Sequence, residues 1–437
     1  YGKFEANVLL DDVDGVKVAF SARQTTGDPK YDVVLKTLAA QFDIPVDSAK
    51  FEAPAESGAV AAFAAGASAL NIPFELNSNH IYVQAKLNGA GPLAFLLDSG
   101  AEMSVVDMAR AKALGIALKG SFEARGAGEG SVEAAAVTDA TLSVQGAEVA
   151  GQTIGSIPLA PLEPFEGRAM EGILGYNFIS RFVVEIDYAN HVINLYDPKT
   201  FHYSGKGERV PLSFHGGLPV IHARISAPGQ PDLNGVFTID TGARNALTLA
   251  RPFIEKTWLN DVAASGIKAP TGIGVGGISN ERVARIGALT IGSVALKRVV
   301  TGLAFDKGGA FANPDFDGNI GGEVLRRFKV TFDYSRNEMF LEPNDRLDEP
   351  FEYDMLGALL MVTDKAFTVK VLVPGSPAAA ADIREGDAIV AIDGTPSGDI
   401  TLEQVRRTFR QDGKTVRLTV RRGADTREVT VTLKRIV

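Results

Sequence analysis

The chain has 437 residues, of which 45% are hydrophobic and 22% charged, with a net charge of −9 and no cysteine. This composition is typical of a globular protein of about three domains, or two large ones, and excludes an intrinsically disordered chain. The acidic balance argues against a nucleic-acid partner, which needs a basic face. Disulfides and thiol catalysis are excluded, and five scattered histidines lack metal-binding spacing, so no metal and no cofactor is expected.

Residues 1–70 have no counterpart elsewhere in the chain and are predicted to form a small α/β segment of unassigned function. Apolar residues at helical spacing predict a helix in 30–42. The Ala- and Gly-rich stretch 58–70 is too short to span a bilayer, which takes about 20 apolar residues, so it is interpreted as a linker or a buried helix. An inhibitory role for residues 1–70 stays open because they precede the first repeat.

The middle of the chain contains an internal repeat. Residues 172–196 and 318–342 share 8 of 25 aligned positions. Short β-branched and aromatic stretches bounded by Gly or Asn predict strands in both copies. We therefore predict two duplicated β lobes, at 78–197 and 208–345, joined by the polar run 198–209.

Each predicted lobe carries the same acidic triplet directly after an apolar strand. Asp98 is followed by Ser99 and Gly100, and the second copy places Asp240 before Thr241 and Gly242. A charged residue at the end of a buried strand needs hydrogen bonds to its oxygens, which a following glycine N–H can provide.

One such triplet is ordinary turn chemistry, but two in related lobes would bring Asp98 and Asp240 face to face. Two neighbouring carboxyl groups share one proton. The ionised partner can then take a proton from water while the protonated partner donates one to a carbonyl oxygen.

These residues resemble the pepsin/retropepsin-like aspartic proteases over about 78–345. The resemblance rests on the two triplets, on the apolar-apolar-Gly loops 173–175 and 319–321, and on the closing stretch 322–343. It implies a mainly β fold with two acid-protease-like lobes forming a cleft, and an aspartic-type endopeptidase that cleaves polypeptide substrates.

The resemblance assigns roles to individual residues. It implies that Asp98 and Asp240 are catalytic and that Ser99 and Thr241 brace the two loops across the interface. Glycine-rich flaps would cover the cleft, and their candidate residues are Gly126, Gly128, Gly274 and Gly276.

The sequence departs from the family pattern at several positions. Neither flap stretch contains the tyrosine that pepsin-like enzymes carry there, so flap geometry and substrate preference stay open. Asn319 replaces an apolar residue, and a solvent-facing turn and a functional role are equally open for it. Glu102 and Arg244 follow the two triplets at equivalent positions, so they could pair with each other across the interface or contact substrate.

Residues 350–437 form a separate module. They carry 13 basic and 12 acidic residues, whereas the rest of the chain carries 31 against 41. Strands, a short helix at 377–381, an Asp-Gly hairpin at 393–394 and a longer helix at about 401–411 are predicted in that order.

This module resembles a bacterial PDZ domain of the kind found on envelope proteases. The resemblance implies that a peptide adds as a strand beside helix 401–410 and that its terminal carboxylate is captured by the loop 355–359. The predicted contact residues are Leu356, Gly357, Ala358 and Leu359. Bracing of the protease is the alternative role for this module.

Two functions of different classes follow. The first is an active endopeptidase with PDZ-mediated recognition of a peptide or partner. The alternative is a catalytically silent protease-fold scaffold whose PDZ domain recruits a partner. The resemblance alone suggests a periplasmic, envelope or secreted location, and the oligomeric state stays open.

Overall fold

The fold is described from a computed structural model, which covers residues 7–24, 33–42, 60–270, 272–279 and 281–437. The chain divides into two compact units, Tyr1–Gly58 and Ala59–Val437. No helix in these ranges is both long and apolar enough to cross a membrane.

The smaller unit contains an antiparallel three-stranded sheet made of β1 (Asn7–Val13), β2 (Val16–Gln24) and β3 (Val33–Lys36). The helix predicted for 30–42 is therefore wrong in its described part, because β3 pairs with β2 and no helix follows it. The apolar spacing was misleading because pairing with a neighbouring strand overrides weak local helical preference.

The larger unit has strands where a linker or a buried helix was expected, so the interpretation of 58–70 is wrong over 60–70, the part that the structure describes. Val60–Phe63 (β4) pairs with a strand of the following sheet, and Ser68–Asn77 (β5) pairs on both of its edges. These strands place residues 60–70 in the larger unit rather than in a separate N-terminal segment.

The first half of the larger unit is mainly strands with three short helices. The strands are β6 (His80–Leu87), β7 (Ala90–Leu97), β8 (Val105–Asp107), β9 (Lys119–Ala124), β10 (Val132–Val144), β11 (Ala147–Ile157), β12 (Gly172–Leu174), β13 (Val183–Asp187) and β14 (Val192–Tyr196). The helices are α1 (Met108–Ala113), α2 (Glu163–Glu166) and α3 (Tyr176–Ile179).

The second half is likewise made mainly of strands with a few short helices. Its strands are β15 (Glu208–Pro211), β16 (Ser213–His215), β17 (Leu218–Ser226), β18 (Leu233–Asp240), β19 (Leu247–Leu249), β20 (Ile267–Lys268), β21 (Ile273–Gly274), β22 (Gly277–Ile278), β23 (Glu281–Arg285), β24 (Ala288–Ile291), β25 (Val294–Lys297), β26 (Val300–Ala304), β27 (Gly318–Gly321), β28 (Phe328–Asp333) and β29 (Glu338–Pro343). The helices are α4 (Arg251–Glu255), α5 (Leu259–Ser265) and α6 (Gly322–Leu325), with 3-10 turns at Ala310–Ala312 and Tyr334–Arg336.

The same strand pairings occur in both halves. Strand β12 runs parallel to β7 and antiparallel to β8, which in turn is parallel to β11. In the second half, β27 runs parallel to β18 and antiparallel to β19, which is parallel to β26. The predicted repeat therefore has a structural counterpart in the pairings around the two acidic triplets.

A shared sheet joins the two halves in the order β15-β29-β28-β13-β14-β5. Its middle pair, β13 and β28, is antiparallel and is formed by the two repeated segments themselves. Glu185 lies directly opposite Thr331, its equivalent in the other copy, so a local twofold axis passes through this pair. Alternating apolar residues such as Val184 and Val330 bury the inner face.

The C-terminal module has a sheet and a core of its own. Its strands are β30 (Ala358–Thr363), β31 (Ala366–Leu372), β32 (Ala388–Ile392), β33 (Thr395–Pro396), β34 (Thr415–Arg422) and β35 (Asp425–Thr432), with helices α7 (Pro377–Ala380) and α8 (Leu402–Thr408) and a 3-10 turn at Ser397–Asp399. One buried apolar cluster runs from Met355 to Leu433 within the module, separate from the cluster that spans both halves of the body.

Candidate functional site

The two acidic triplets lie where β7 and β18 end, beside the parallel strands β12 and β27. Leu97 pairs with Leu174, and Asp240 pairs with Gly321. The N–H of Asp98 donates to the carbonyl of Leu174 at 2.9 Å. Each triplet is therefore held by a buried strand on one side and leaves the sheet at the same point in its own half.

The two triplet hydroxyl groups bind the opposite loop. Ser99 Oγ donates to the carbonyl of Ile239 at 2.7 Å, and Thr241 Oγ1 donates to the carbonyl of Leu97 at 2.8 Å. Each hydroxyl oxygen also accepts the other residue's backbone N–H, at 2.9 and 3.0 Å. Both side chains are 1% exposed, so these four bonds fix one loop against the other without competition from water.

The carboxyl groups of Asp98 and Asp240 lie side by side and share a hydrogen bond. Each one also accepts the N–H of the glycine two residues on, both at 2.8 Å. A Cβ added to Gly100 would lie 2.5 Å from the Asp240 carboxyl carbon, and one added to Gly242 would be closer still to that of Asp98. The glycines are therefore required because each makes room for the other loop's carboxyl group.

Burial and mutual repulsion both act on the carboxyl pair. Burial, followed by the negative charge of Asp240, raises the pKa of Asp98 well above its usual range. Two adjacent buried carboxyl groups cannot both ionise at low cost, so the pair holds one proton. The raised pKa of Asp98 is the expected consequence of this sharing of one proton.

The sequence left two interpretations of Asn319 open, a solvent-facing turn residue and a functional residue. The solvent-facing interpretation is wrong. Asn319 lies on β27, partly buried, and its side-chain N–H donates to Asp240 Oδ2 at 2.6 Å. Its equivalent in the first half is Ile173, which is 8% exposed and packs in an apolar cluster. A donor on one side and a hydrocarbon on the other make the surroundings of the two carboxyl groups unequal.

The four flap candidates come together. The N–H of Gly276 donates to the carbonyl of Ala127 at 2.8 Å, and the N–H of Gly130 donates to the carbonyl of Gly276 at 2.9 Å. A Cβ on Gly128 would lie 2.5 Å from Gly276, and one on Gly274 would lie 2.7 Å from Ala127. The strand pair β21–β22, which carries Gly274, meets the loop around Gly126 and Gly128 by backbone contact.

Glu102 and Arg244, for which pairing and substrate contact were both open, do not pair with each other. Glu102 is exposed, whereas Arg244 bonds Glu166 of α2 at 2.5 Å. Glu166 also bonds His80 Nδ1 at 2.8 Å and accepts from the Tyr82 hydroxyl at 3.0 Å. Arg244 is thereby held on a buried carboxylate of the first half rather than left to contact substrate.

Glu166 stays charged despite its burial. Burial alone would raise the pKa of Glu166, but the interactions with His80 and with the Arg244 guanidinium hold that pKa well below its usual range. Arg406 of α8 adds a smaller effect in the same direction. This buried cluster links the second acidic triplet to the C-terminal module, because Arg244 follows that triplet and Arg406 belongs to the module.

The predicted carboxylate-capture loop already holds a carboxylate. Asp354 Oδ1 accepts the N–H of Gly357 at 2.7 Å and that of Ala358 at 3.3 Å. Burial raises the pKa of Asp354 to about 6. Of the other two predicted contact residues, Leu356 is fully buried and Leu359 is partly buried at the start of β30.

Residues of the body lie against the edge strand and helix that would form the peptide groove. Helix α2 packs against β30, and a Cβ on Gly167 would lie 2.8 Å from Leu402 of α8. Arg406 donates to the carbonyl of Phe165 at 2.5 Å and to Ser78 Oγ at 3.1 Å. The cavity left beside β30 and α8 has about 110 Å³, below the roughly 300 Å³ of ordinary ligand pockets.

The module is also attached at a second place. Arg285 of β23 bonds Glu352 at 3.0 Å and the carbonyls of Phe351 and Val437 at 2.6 and 3.0 Å. The hydroxyl of Tyr353 donates to the carbonyl of Pro270 at 2.8 Å. The structure thus shows bracing contacts between the module and the body.

Comparisons with known families agree with the two parts of the site. Residues 83–178 match the family model described as an aspartyl protease, and residues 368–422 match that of a PDZ domain. The aspartyl protease match covers the first triplet, Asp98-Ser99-Gly100. A search of curated proteins found no match for this chain.

Sequence reasoning missed Glu166, His80 and Asp354 as parts of the site. Glu166 follows an apolar residue in a four-residue helix, and no spacing signal relates it to His80 or Arg244. Asp354 directly precedes the capture loop 355–359, which is a signal for a local hydrogen bond that could have been used. Within the described ranges, no group of three or more acidic or histidine side chains could hold a metal ion.

Proposed function

We propose that the protein is an aspartic endopeptidase with catalytic residues Asp98 and Asp240. The observation that carries this proposal is the hydrogen-bonded carboxyl pair at the junction of two loops that are fixed by each other's hydroxyl groups. Residues 78–197 and 208–345 would be the two lobes of the protease, with the carboxyl pair in the cleft between them. The match to an aspartyl protease family supports the same chemistry.

The two carboxyl groups have different roles in the proposed reaction. Asp240 accepts a proton from the attacking water, and Asp98 donates its proton to the carbonyl oxygen of the peptide bond. The resulting tetrahedral diol then collapses as a proton passes to the leaving nitrogen, so that the C–N bond breaks. The loops around Gly126, Gly128, Gly274 and Gly276 would close over the substrate and exclude water.

The PDZ domain adds recognition of a second peptide. A chain terminus would add as a strand along β30 beside α8, with its carboxylate on the N–H groups of Gly357 and Ala358. The same two groups make hydrogen bonds to Asp354, which supports their ability to bind a carboxylate.

Hydrolysis of casein and of a peptide library tests the proposal. Asp98→Asn and Asp240→Asn should each lower kcat by about 100-fold or more, because each removes a proton-transfer group. Asp345→Asn, an exposed position, is the matched control and should retain wild-type rates. A statine-type inhibitor should bind the wild type. Wild-type protein that hydrolyses nothing at any pH, yet retains a PDZ-bound partner, would instead support the scaffold function.

A further inference from the structure

Asn319 is the residue that makes the two halves of the carboxyl pair unequal. Its amide reaches Asp240 Oδ2 at 2.6 Å, while Gly242 N–H serves the other oxygen of the same group at 2.8 Å. The register matches Asn319 and Thr238 with Ile173 and Leu96 in the first half. The polar pair therefore stands where the first half has two hydrocarbon side chains.

An amide N–H facing Asp240 can only donate, so it stabilises negative charge on that oxygen. The other amide atom, Asn319 Oδ1, is buried and has no hydrogen-bond partner within the described ranges. The amide is thus oriented with its donor on Asp240 and its acceptor without a protein partner.

We propose that Asn319 is a positioning residue that keeps Asp240 ionised and leaves the shared proton on Asp98. This inference rests on the proposed endopeptidase function and deepens it, because it assigns the base and the acid within the pair. The pair would then start each cycle in one protonation state rather than in two.

The test is the pH dependence of Asn319→Leu. Losing a donor to a carboxylate should raise the lower apparent pKa of the pair by about one unit, so the acidic limb of kcat/KM moves to higher pH. Thr238→Val is the matched control, since Thr238 lies beside Asn319 and bonds the carbonyl of Gly318. Asn319→Ser keeps a short hydrogen-bond donor, so the acidic limb of its kcat/KM profile should move less than that of Asn319→Leu.

A second readout does not depend on turnover. Carbon-13 NMR of labelled aspartate, assigned with Asp98→Asn and Asp240→Asn, should show the same upward shift in folded Asn319→Leu protein. A uniform loss of rate with an unchanged pH profile and unchanged NMR titration would overturn the inference. An NMR shift in a protein that hydrolyses nothing would leave the inference standing and remove the proposed function.

A separate observation concerns the PDZ groove. Its carboxylate-binding N–H groups are taken by Asp354, its edge strand is covered by α2, and its helix is tied to the body by Arg406. The space that remains, about 110 Å³, is too small for a peptide strand.

We further infer that the groove is closed by the chain itself and that a peptide C-terminus binds only after the module has moved away from α2. This rests on the proposed PDZ recognition. Since Arg406 and Arg244 both face Glu166, opening of the groove would also remove a charge from the cluster that holds Arg244.

Arg406→Ala is the opening variant, and Arg407→Ala, an exposed arginine on the same helix, is its control. The probe is a set of labelled decapeptides that end in Val, Leu or Phe, each with a free carboxylate or an amide. Arg406→Ala should raise affinity for the free-carboxylate peptides by about tenfold, with Arg407→Ala unchanged and the amides bound weakly.

Hydrogen exchange along β30 tests closure without a peptide. The backbone N–H groups on the edge of β30 that α2 covers should exchange about tenfold faster in Arg406→Ala than in Arg407→Ala. Equal exchange, or equal peptide affinity in the two variants, would overturn the closure. Faster exchange with no peptide bound by any variant would leave the closure standing and remove the proposed peptide recognition.

Discussion

Glu166→Gln is a substitution for which the structure predicts a large and well-defined loss of stability. The wild-type carboxylate is 8% exposed, bonds Arg244 at 2.5 Å and also contacts His80 and Tyr82. Glutamine keeps the size but removes the charge, so Arg244 and Arg406 are left facing each other without a counter-charge. Breaking a buried ion pair by removing one partner costs about 3–5 kcal/mol.

The pH dependence gives this prediction a second, independent feature. The pKa of Glu166 is held below its usual range in the folded protein, so it binds fewer protons folded than unfolded. Its contribution to stability is therefore complete above the unfolded pKa, about 4.3, and is lost progressively as the pH falls from there through the much lower folded pKa. Glutamine resembles the protonated form, so the variant and the wild type should converge in acid.

The assay is equilibrium urea unfolding at pH 7, 5 and 3.5, followed by circular dichroism, with Glu148→Gln as the control at an exposed position. Glu148→Gln should stay within about 0.5 kcal/mol of wild type at every pH. The reasoning is refuted if Glu166→Gln costs less than about 1 kcal/mol at pH 7, or if its cost stays constant down to pH 3.5.

Three further substitutions test other parts of the site. Ser99→Ala and Thr241→Val should each lower the free energy of unfolding by about 2–4 kcal/mol, because each removes two buried hydrogen bonds between the loops, and each should lower kcat. Ser121→Ala, at an exposed position, should change neither quantity. Urea unfolding and peptide hydrolysis measure the two effects. Gly276→Ala should raise KM about tenfold or more, because its Cβ would lie 2.6 Å from the Gly128 carbonyl oxygen. Gly272→Ala is the control, since its Cβ would meet no atom within 4 Å, and it should leave KM unchanged. Equal KM values for the two variants would contradict the contact between the flap candidates. Arg327→Met should lower the free energy of unfolding by about 3–5 kcal/mol in urea, because this fully buried guanidinium bonds Glu323 and several carbonyl groups. Arg421→Met, at an exposed position, is the control, and an equally small loss in both variants would contradict the structural role of Arg327.

The sequence was sufficient for the features that are local and repeated. Each acidic triplet is contiguous, follows an apolar strand and has a second copy, so its place in the fold could be predicted from both copies together. The C-terminal module was recognisable because its turn residues and apolar strands stand in one continuous segment, 368–422.

The remaining features of the site and fold depend on contacts between residues that are far apart in the sequence. Asn319 contacts an aspartate 79 residues away, and Glu166 contacts residues 78 and 86 away, distances at which no periodicity applies. The Ala-rich start of the larger unit is compatible with helix or strand, and only the partner strands β11, β6 and β14 decide the outcome.

The pairing of Glu185 with Thr331 has a consequence for how the chain can be divided. A polypeptide cut at 205–206 would give two fragments, each with one exposed strand edge and a single aspartate of the pair. Each edge is complementary to the other, so mixing the fragments should rebuild the seam and its paired acids, whereas either fragment alone would be prone to associate through its bare edge. Recovery of the seam from the two fragments would mean that the molecule behaves as a covalently tethered dimer.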